Sequence, residues 1–465
     1  MPKKNIPRQN MPEQQPQIRK KNFSEVPLGL SQEAAILEAI RCLNCKNPVC
    51  IEGCPVGINI PAFIQLIKDN MFIEAAQKIK EENTLPAVCG RVCPQEDQCE
   101  LKCILGIKGL PVAIGYLERF VADFERNCGS IAIPQIKNEI SKKIAIIGAG
   151  PSGLTCAGEL RKLGYHVTIF EALHKPGGVL MYGIPEFRLP KSIVEREVDY
   201  LEKLGVEIRY NTVIGRTITV DELLTDEKFD AIYIATGAGV PSFMNIPGED
   251  LNYVYSANEF LTRVNLMKAY EFPKSDTPVV IGKCVAVIGG GNTAMDSARC
   301  ALRLGPEKVF LIYRRSQEEM PARIEEIHHA KDEGIIFHFL TAPTQYISDG
   351  KGNVKFARCI RMELGQPDDS GRRRPIPIKA SEFDIAVDSV VVAIGTQSNP
   401  IIASTTPELG VNKWGYIITN NDGQTSIEKV FAGGDIVSGS ATVISAMGQA
   451  KTAAAGIHNL LINKE

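Results

Sequence analysis

Lys143-Ile-Ala-Ile-Ile-Gly-Ala-Gly-Pro-Ser-Gly-Leu154 is the stretch whose reading decides the fold. Ile144–Ile147 is a continuous apolar run, as a strand buried on both faces requires. The run meets Gly148, Gly150 and Gly153 in the spacing G-x-G-x-x-G, and Leu154–Leu163 then reads as a helix. A second strand, His166–Phe170, ends in Glu171, 23 residues beyond Gly148. Each part has a physical task at a dinucleotide site. Gly148 permits the tight turn, Gly150 lets a pyrophosphate approach the backbone, and Gly153 lets helix and strand pack closely. The helix N-terminus offers partial positive charge to phosphates, and Glu171 is placed to accept hydrogen bonds from a ribose diol. Three glycines alone are weak evidence, whereas strand, glycines, helix, strand and acid in this order are strong evidence.

The same pattern recurs about 140 residues later in Val285-Ala-Val-Ile-Gly-Gly-Gly-Asn-Thr-Ala294. Gly289, Gly291 and Ala294 form G-x-G-x-x-A, and Asn292 and Thr293 open a helix running to Leu304. The next strand, Val309–Ile312, ends in Tyr313-Arg314-Arg315, with no acid. A carboxylate there would repel a 2′-phosphate, whereas Arg314 and Arg315 could grip one, so the second site is expected to prefer NADPH over NADH. A further strand follows each unit, Phe229–Gly237 and then Val387–Gly395. Strands alternating with helices imply an α/β protein with parallel sheets. The duplication implies two Rossmann-like dinucleotide-binding domains, one inserted in the other.

Lys175-Pro-Gly-Gly178 follows Glu171, and Phe431-Ala-Gly-Gly-Asp-Ile436 lies near the C-terminus. Gly177, Gly178, Gly237, Gly434 and Asp435 join the first site on this reading, with Asp435 placed to hold a ribityl chain. The pairing resembles the FAD-binding pattern of flavoproteins with two dinucleotide-binding domains. The expected organisation is a flexible arm at 1–22, a helical domain at 23–140, an FAD domain made of 141–244 and 386–465, and an NADPH domain at 245–385. The arm is polar and basic, too poor in apolar residues to build a core. Its alternative is a strap lying on the body or on a partner subunit. Within the helical region, Ser31 is a candidate cap, and Ile60–Asn70, Phe72–Glu82 and Val112–Phe124 read as helices.

The chain of 465 residues balances 52 Lys and Arg against 54 Asp and Glu. A net charge of −2 gives no drive toward nucleic acid or an anionic membrane. No apolar run has the length of a membrane span and no signal-peptide core opens the sequence, so a cytoplasmic location is expected. Eight of the thirteen cysteines fall in two runs, Cys42-x2-Cys45-x4-Cys50-x3-Cys54-Pro55 and Cys89-x3-Cys93-Pro94-x4-Cys99-x3-Cys103. Short thiolate spacings closed by Cys-Pro suit iron–sulfur clusters. Zinc usually shows paired C-x2-C units, and one is present. Cys128, Cys156, Cys284, Cys300 and Cys359 read as packing residues.

From residue 23 to about 460 the chain resembles the small subunit (beta chain) of NADPH-dependent glutamate synthase. It is equally similar to the larger subunit of NADH-dependent ferredoxin:NADP oxidoreductase, also described as sulfide dehydrogenase, and the N-terminal half of dihydropyrimidine dehydrogenase shares the pattern. The motifs that carry the resemblance are Cys42-Leu-Asn-Cys45, Gly90-Arg-Val-Cys-Pro94, Gly183-Ile-Pro-Glu-Phe-Arg-Leu-Pro190, Ser256-Ala-Asn-Glu-Phe-Leu261 and Gly289-Gly-Gly-Asn-Thr-Ala-Met-Asp296. The resemblance implies two 4Fe-4S clusters. Cys42, Cys45 and Cys50 would share one with Cys103, while Cys54, Cys93 and Cys99 would hold the other with Glu118 as fourth ligand. Cys89 is then a bystander, although spacing alone would choose it. The Tyr182–Pro185 loop would lie near the flavin ring.

The expected activity is electron passage from NADPH through FAD and the clusters to a partner in a hetero-oligomer. That partner is a large glutamate synthase-type subunit or, alternatively, a ferredoxin or flavoprotein, the latter as in an electron-bifurcating ferredoxin:NADP oxidoreductase or a sulfide dehydrogenase. The chain shows no N-terminal cysteine nucleophile and no (β/α)8 pattern, so glutamate formation would need a second subunit. No C-x-x-C lies near the flavin segments, which disfavours disulfide reduction. His328 and His329 read as a solvated helix face, and Arg372-Arg373-Arg374 as a basic turn.

Overall fold

A computed structural model of the chain describes residues 6–129 and 131–462. Helices Gln32–Arg41, Ile60–Lys68, Phe72–Lys80, Pro86–Val92 and Ile114–Asn127 build the N-terminal region. Ser31 caps the first by accepting from the Ala34 N–H at 3.2 Å, and Asn59 caps the second through the Ala62 N–H at 3.3 Å. Pro61 stands in the first turn of its helix, where its missing N–H costs nothing. Phe63, Ile67, Ile79, Leu117 and Val121 form the buried face of these helices. That core is continuous with Leu180, Met181, Ile193, Ile444 and Met447 from the following domain. The cysteine region is therefore seated on the flavin-type domain rather than tethered to it.

The first sheet has the order Val430–Ala432, Ala231–Ile234, Ile140–Ile147, Tyr165–Phe170, Glu207–Arg209, all parallel. Ile144–Ile147 and Ala231–Ile234 are buried throughout, as strands covered on both faces should be. The second sheet has the order Val254–Ser256, Ser389–Val392, Cys284–Ile288, Lys308–Ile312, Ile336–His338, again parallel. The two sheets share one plan. They differ in the source of one edge strand, which comes from the chain's end in the first and from before the glycine loop in the second.

This arrangement moves one expected boundary. The strand Ser389–Val392 pairs with Cys284–Ile288, so the segment from 386 to about 395 belongs to the inserted domain and not to the FAD domain. The crossing between domains is a small antiparallel ribbon in which Val240–Pro241 pairs with Thr396–Gln397. The sequence pattern also missed an antiparallel sheet of Thr341–Ser348, Val354–Pro367, Arg373–Pro377 and Phe383–Ala386.

Residues 6–22, expected as a flexible arm, instead lie as a strap along the body, and residues 1–5 of that expectation fall outside the described residues. Arg8 donates to Glu100 at 2.7 Å and to the Pro111 carbonyl at 2.9 Å. Arg19 is 1% exposed and reaches Glu333 and Glu13 at 3.1 and 2.8 Å. Phe23 stacks on Tyr270 with centroids 4.1 Å apart. Ion pairs, which a composition argument ignores, replace the missing apolar anchors. No helix among the described residues is long and apolar enough to cross a membrane.

Candidate functional site

The first glycine loop joins Ile140–Ile147 to the helix Pro151–Lys162. Gly148 has φ +105°, and a Cβ there would stand 2.6 Å from the Ala235 carbonyl oxygen. A Cβ on Gly153 would strike the Gly148 carbonyl, whereas one on Gly150 would meet nothing within 4 Å. The loop is thus crowded at its two ends and open in its middle, which is the shape a pyrophosphate needs. Glu171 is buried, and its two oxygens accept from the Ala149 and Leu173 N–H groups, each at 2.8 Å. Burial raises its pKa, against the pull of these backbone donors. The carboxylate therefore shapes the loop while keeping lone pairs for a ribose.

Gly177 donates to the Ala149 carbonyl at 2.7 Å, and Gly178 faces the Gly150 Cα. Gly237 follows the strand Ala231–Ile234 with open space beside it. Gly434 approaches Ser152 closely and donates to Gln449 Oε1 at 2.8 Å, and half-buried Asp435 opens a short helix. Burial pushes the Tyr182 phenol up to about 12, with the charges of Glu171 and Asp435 adding to it, so all three share one environment. Sequence reasoning gave no role to two residues that hold this loop. Asn265 donates to the Tyr182 and Gly183 carbonyls, each at 3.1 Å. Buried Lys191 donates to the Leu180 carbonyl at 2.9 Å and also to that of Ile184, and burial lowers its pKa to about 8.

At the second loop a Cβ on Gly289 would strike the Ala393 carbonyl, while Gly291 has its nearest neighbour at 3.9 Å. Asn292 opens the helix Asn292–Arg303 and accepts from the Arg323 N–H at 3.0 Å, with Thr293 exposed beside it. The two expected phosphate readers prove unlike. Arg315 is buried, donating to Asp368 at 2.6 Å and to the Arg373 carbonyl at 2.7 Å, so it anchors the antiparallel sheet and is not free for a phosphate. The Arg314 side chain is exposed and makes no ion pair among the described residues.

The two nucleotide domains meet across a buried charge network. Arg188 Nη1 donates to both Asp296 oxygens, at 2.9 and 2.7 Å, and Arg188 Nε reaches Glu326 at 3.1 Å. Asp296 and Glu326 outweigh burial and hold the Arg188 pKa above its ordinary value. Glu333 takes Arg299 at 2.8 Å, Arg303 at 2.7 Å and Arg19 at 3.1 Å. Burial works against its charge, but Arg299 and Arg303 outweigh it and hold the carboxyl down at about 2. His329, expected on a solvated face, is buried, and its Nε2 lies 3.0 Å from Glu13 of the strap; His328 is exposed. Arg373 of the expected basic turn pairs with Glu318 at 2.8 Å.

The eight clustered cysteines fall into two groups. Cys42, Cys45, Cys50 and Cys103 line one cleft together with Leu43, Ile64, Lys102 and Ile104. Burial pushes the Cys50 thiol up to about 11, and the neighbouring Cys103, Cys42 and Cys45 raise it further. Cys54, Cys93 and Cys99 form the second group, each feeling the charge of Glu118. Glu118 is buried with Asn83 Nδ2 donating to it at 2.7 Å, and burial raises its carboxyl to about 8. Cys89 is fully buried beside the same group, its Sγ 3.5 Å from Met447 Sδ. Crowded thiols and a desolvated carboxyl without a cation repel one another once ionised. A centre containing iron would neutralise both groups, so the donor sets fit iron–sulfur clusters. Cys156, Cys300 and Cys359 are buried, as packing residues should be, while Cys128 is exposed.

The second group abuts the flavin-type domain. Gly448 of the helix Val443–Ile462 lies against Pro55, a Cβ there falling 2.7 Å from the Pro55 carbonyl. Lys451 of that helix donates to the Val56 carbonyl at 3.1 Å.

Comparison with known proteins agrees with this layout. A family model described as dihydropyrimidine dehydrogenase domain II, 4Fe-4S cluster, matches residues 19–130. One described as pyridine nucleotide-disulphide oxidoreductase matches 104–228 and 142–450. The chain is 37% identical over 463 residues to the NADPH glutamate synthase small chain of Escherichia coli (strain K12), covering 98% of each. It is 42% identical over 434 residues to the NADP(+)-dependent formate dehydrogenase subunit beta of Moorella thermoacetica, covering 89% of this chain and 60% of that one. Among solved structures, Mycobacterium tuberculosis FprA in complex with NADPH is similar in fold, with TM-score 0.59 and 23% identity over 70% of this chain and 85% of that one. Lactococcus lactis thioredoxin reductase gives TM-score 0.52 and 21% identity over 70% of this chain and 100% of that one.

Proposed function

The chain belongs to the family of NADPH glutamate synthase small chains, NADPH-dependent flavin and iron–sulfur oxidoreductases, and we propose that it is the electron-input subunit of such a complex, with FAD in the first glycine loop and two 4Fe-4S clusters in the two cysteine groups. When bound, the flavin converts a hydride's electron pair into single electrons and the clusters carry them one at a time. The residues supply position and electrostatics. Gly148, Gly150, Gly153 and the following helix cradle the FAD pyrophosphate, Glu171 takes a ribose, and Asp435 takes the ribityl chain. Asn265 and Lys191 hold the Tyr182–Pro185 loop against the ring.

Gly289, Gly291, Asn292 and Thr293 take the NADPH pyrophosphate, and exposed Arg314 selects the 2′-phosphate. The Arg188–Asp296 pair fixes the nicotinamide-binding domain to the flavin-binding domain. Cys42, Cys45, Cys50 and Cys103 hold the outer cluster. Cys54, Cys93, Cys99 and Glu118 hold the inner one.

One observation carries the reading: the inner cysteine group packs on the helix that follows Asp435, while the outer group opens to the surface. That order is a path from flavin to partner. The partner proposed is a large glutamate synthase-type subunit. The Moorella relative favours a second reading, the same module serving another oxidoreductase complex, and the chain spans only part of that relative's length. Anaerobic purification tests both readings at their root. The expected material holds one FAD and about eight iron and eight sulfide per chain, and NADPH bleaches it. Colourless protein would refute the proposal. Co-purification from the native cell separates the two partners.

A further inference from the structure

The inserted nucleotide domain hangs on a thin connection. Val240–Pro241 pairs with Thr396–Gln397, a ribbon whose strands are 2 residues long. A joint that small leaves a domain free to turn unless side chains hold it.

The N-terminal strap supplies such a hold. Its first residues belong to the helical domain: Arg8 pairs with Glu100, the Gln9 N–H donates to Glu38 at 2.7 Å, and the Leu28 N–H donates to the Pro12 carbonyl at 2.7 Å. Its middle belongs to the inserted domain. Arg19 donates to Glu333 at 3.1 Å and lies 3.6 Å from Asp332, while Glu13 meets His329 Nε2 at 3.0 Å. Arg303 donates to the Asn22 carbonyl at 2.9 Å, and Phe23 stacks on Tyr270. Its end reaches the flavin-type domain, where the Val26 N–H donates to the Phe187 carbonyl at 2.9 Å. One segment thus ties the inserted domain to both of its neighbours.

The ties converge behind the Tyr182–Pro185 loop. The Arg299 and Arg303 guanidinia lie over the Phe187 ring, 4.6 and 3.9 Å from its centroid. Both also pair with Glu333, the carboxylate that Arg19 reaches. Removing the Arg19 guanidinium, itself buried, leaves Glu333 and Glu13 each short of a charged donor.

We propose that the strap is a positioning element for hydride transfer, with Arg19 as its pin, fixing the inserted domain in the orientation that brings the nicotinamide to the flavin. The inference rests on the FAD and NADPH assignments proposed above. The step it serves moves one hydride from NADPH, which leaves as NADP+, to the flavin, which is reduced by two electrons. Arg19 acts through Glu333 and not on either nucleotide. The grip on NADPH lies within the inserted domain, so loosening that domain costs rate while affinity stays.

The test uses the full chain as anaerobic holoprotein, with Arg19→Ala, Phe23→Ala and, as a control, Lys21→Ala. Lys21 is exposed on the same strap. Stopped-flow bleaching of the flavin at rising NADPH separates the limiting rate from the dissociation constant. Arg19→Ala and Phe23→Ala are each expected to lower the limiting rate about tenfold and to change the dissociation constant less than about twofold. Lys21→Ala should match the parent. Added glycerol should slow the limiting step in Arg19→Ala and not in the parent, because a loosened domain must swing through solvent. Hydrogen exchange at the ribbon should rise in Arg19→Ala, while the strand Cys284–Ile288 keeps its protection. A parent that NADPH does not bleach would overturn the cofactor assignment and the role in hydride transfer with it, and the exchange arm would still decide whether the strap holds the domain. Unchanged exchange at the ribbon would overturn that hold. With a parent that bleaches, an unchanged limiting rate in Arg19→Ala, an equal loss in Lys21→Ala, or a weakened dissociation constant in place of a lowered rate would overturn the strap's role alone. If Arg19→Ala does not fold, Phe23→Ala decides by the same criteria.

Discussion

Replacing Arg314 by Ala separates two arginines that stand side by side in sequence. The Arg314 side chain is exposed and without an ion pair among the described residues, whereas Arg315 is buried against Asp368 and the Arg373 carbonyl. A guanidinium about 4 Å from one phosphate charge gains roughly 1 kcal/mol in bulk water and about 4 at the effective dielectric of a protein surface. Charge-assisted hydrogen bonds fall in a similar range, about 1.5–3 kcal/mol. A loss of about 2 kcal/mol is therefore expected for Arg314→Ala, or roughly thirtyfold in kcat/KM for NADPH. NADH, which lacks the 2′-phosphate, should lose less than about twofold. Arg315→Ala should act differently. It leaves Asp368 without its partner and frees the end of the strand Arg373–Pro377, so both nucleotides should suffer alike while the melting temperature falls. Steady-state kinetics with ferricyanide as acceptor, run with both nucleotides for both variants, decide the matter. Equal losses of NADPH and NADH activity in Arg314→Ala would refute the argument. A loss specific to NADPH in Arg315→Ala would refute it equally.

Three further outcomes are expected. Cys45→Ser should lower the iron content to about half and abolish one cluster signal, while FAD and ferricyanide reduction remain; unchanged iron would dismiss Cys45 as a ligand. Glu118→Ala should alter the paramagnetic spectrum of one cluster only, and identical spectra would pass the fourth position to another donor, with buried Cys89 the thiol to consider. For Glu333 the carboxyl pKa lies near 2 in the fold, against 4.5 unpaired. A depressed carboxylate stabilises fully above its unfolded pKa, and the contribution disappears as pH falls toward the folded value. It amounts to about 3 kcal/mol. Glu333→Gln should therefore weaken hydrogen-exchange protection of the helix Ile324–Glu333 at pH 7 and make little difference near pH 2; equal protection at pH 7 would contradict the network's role.

The glycine loops, the strands before them and the acid at 171 were legible in the sequence because their determinants are local. A tight turn, a close helix and an open backbone position are properties of consecutive residues, and the G-x-G-x-x-G spacing states all three. The two cysteine runs announced a metal chemistry for the same reason. Their division into two groups was not legible from spacing. Cys54 stands four residues after Cys50 in sequence, yet its thiol answers to Glu118 while that of Cys50 answers to Cys103. Which thiol faces which centre is set by how Pro86–Val92 and Ile114–Asn127 pack, and Glu118 enters only through that packing.

The remaining differences share one cause. The strand Ser389–Val392 reads equally well in either sheet, and its partner Cys284–Ile288 lies about 100 residues away. Arg188 and Asp296 sit in two motifs visible in the sequence, but their pairing across the domain boundary does not follow from either motif. Arg19 and His329 looked like surface residues because polarity predicts exposure on average; Arg19 is buried against the carboxylates of Glu333 and Glu13, and His329 against a hydrogen bond to Glu13. Sequence alone therefore determined which backbone shapes and which donor types each short segment carries, since both are local. Tertiary structure decided which charges are free and which are taken, because Coulomb pairing depends on distance in space, and chain separation carries no such information.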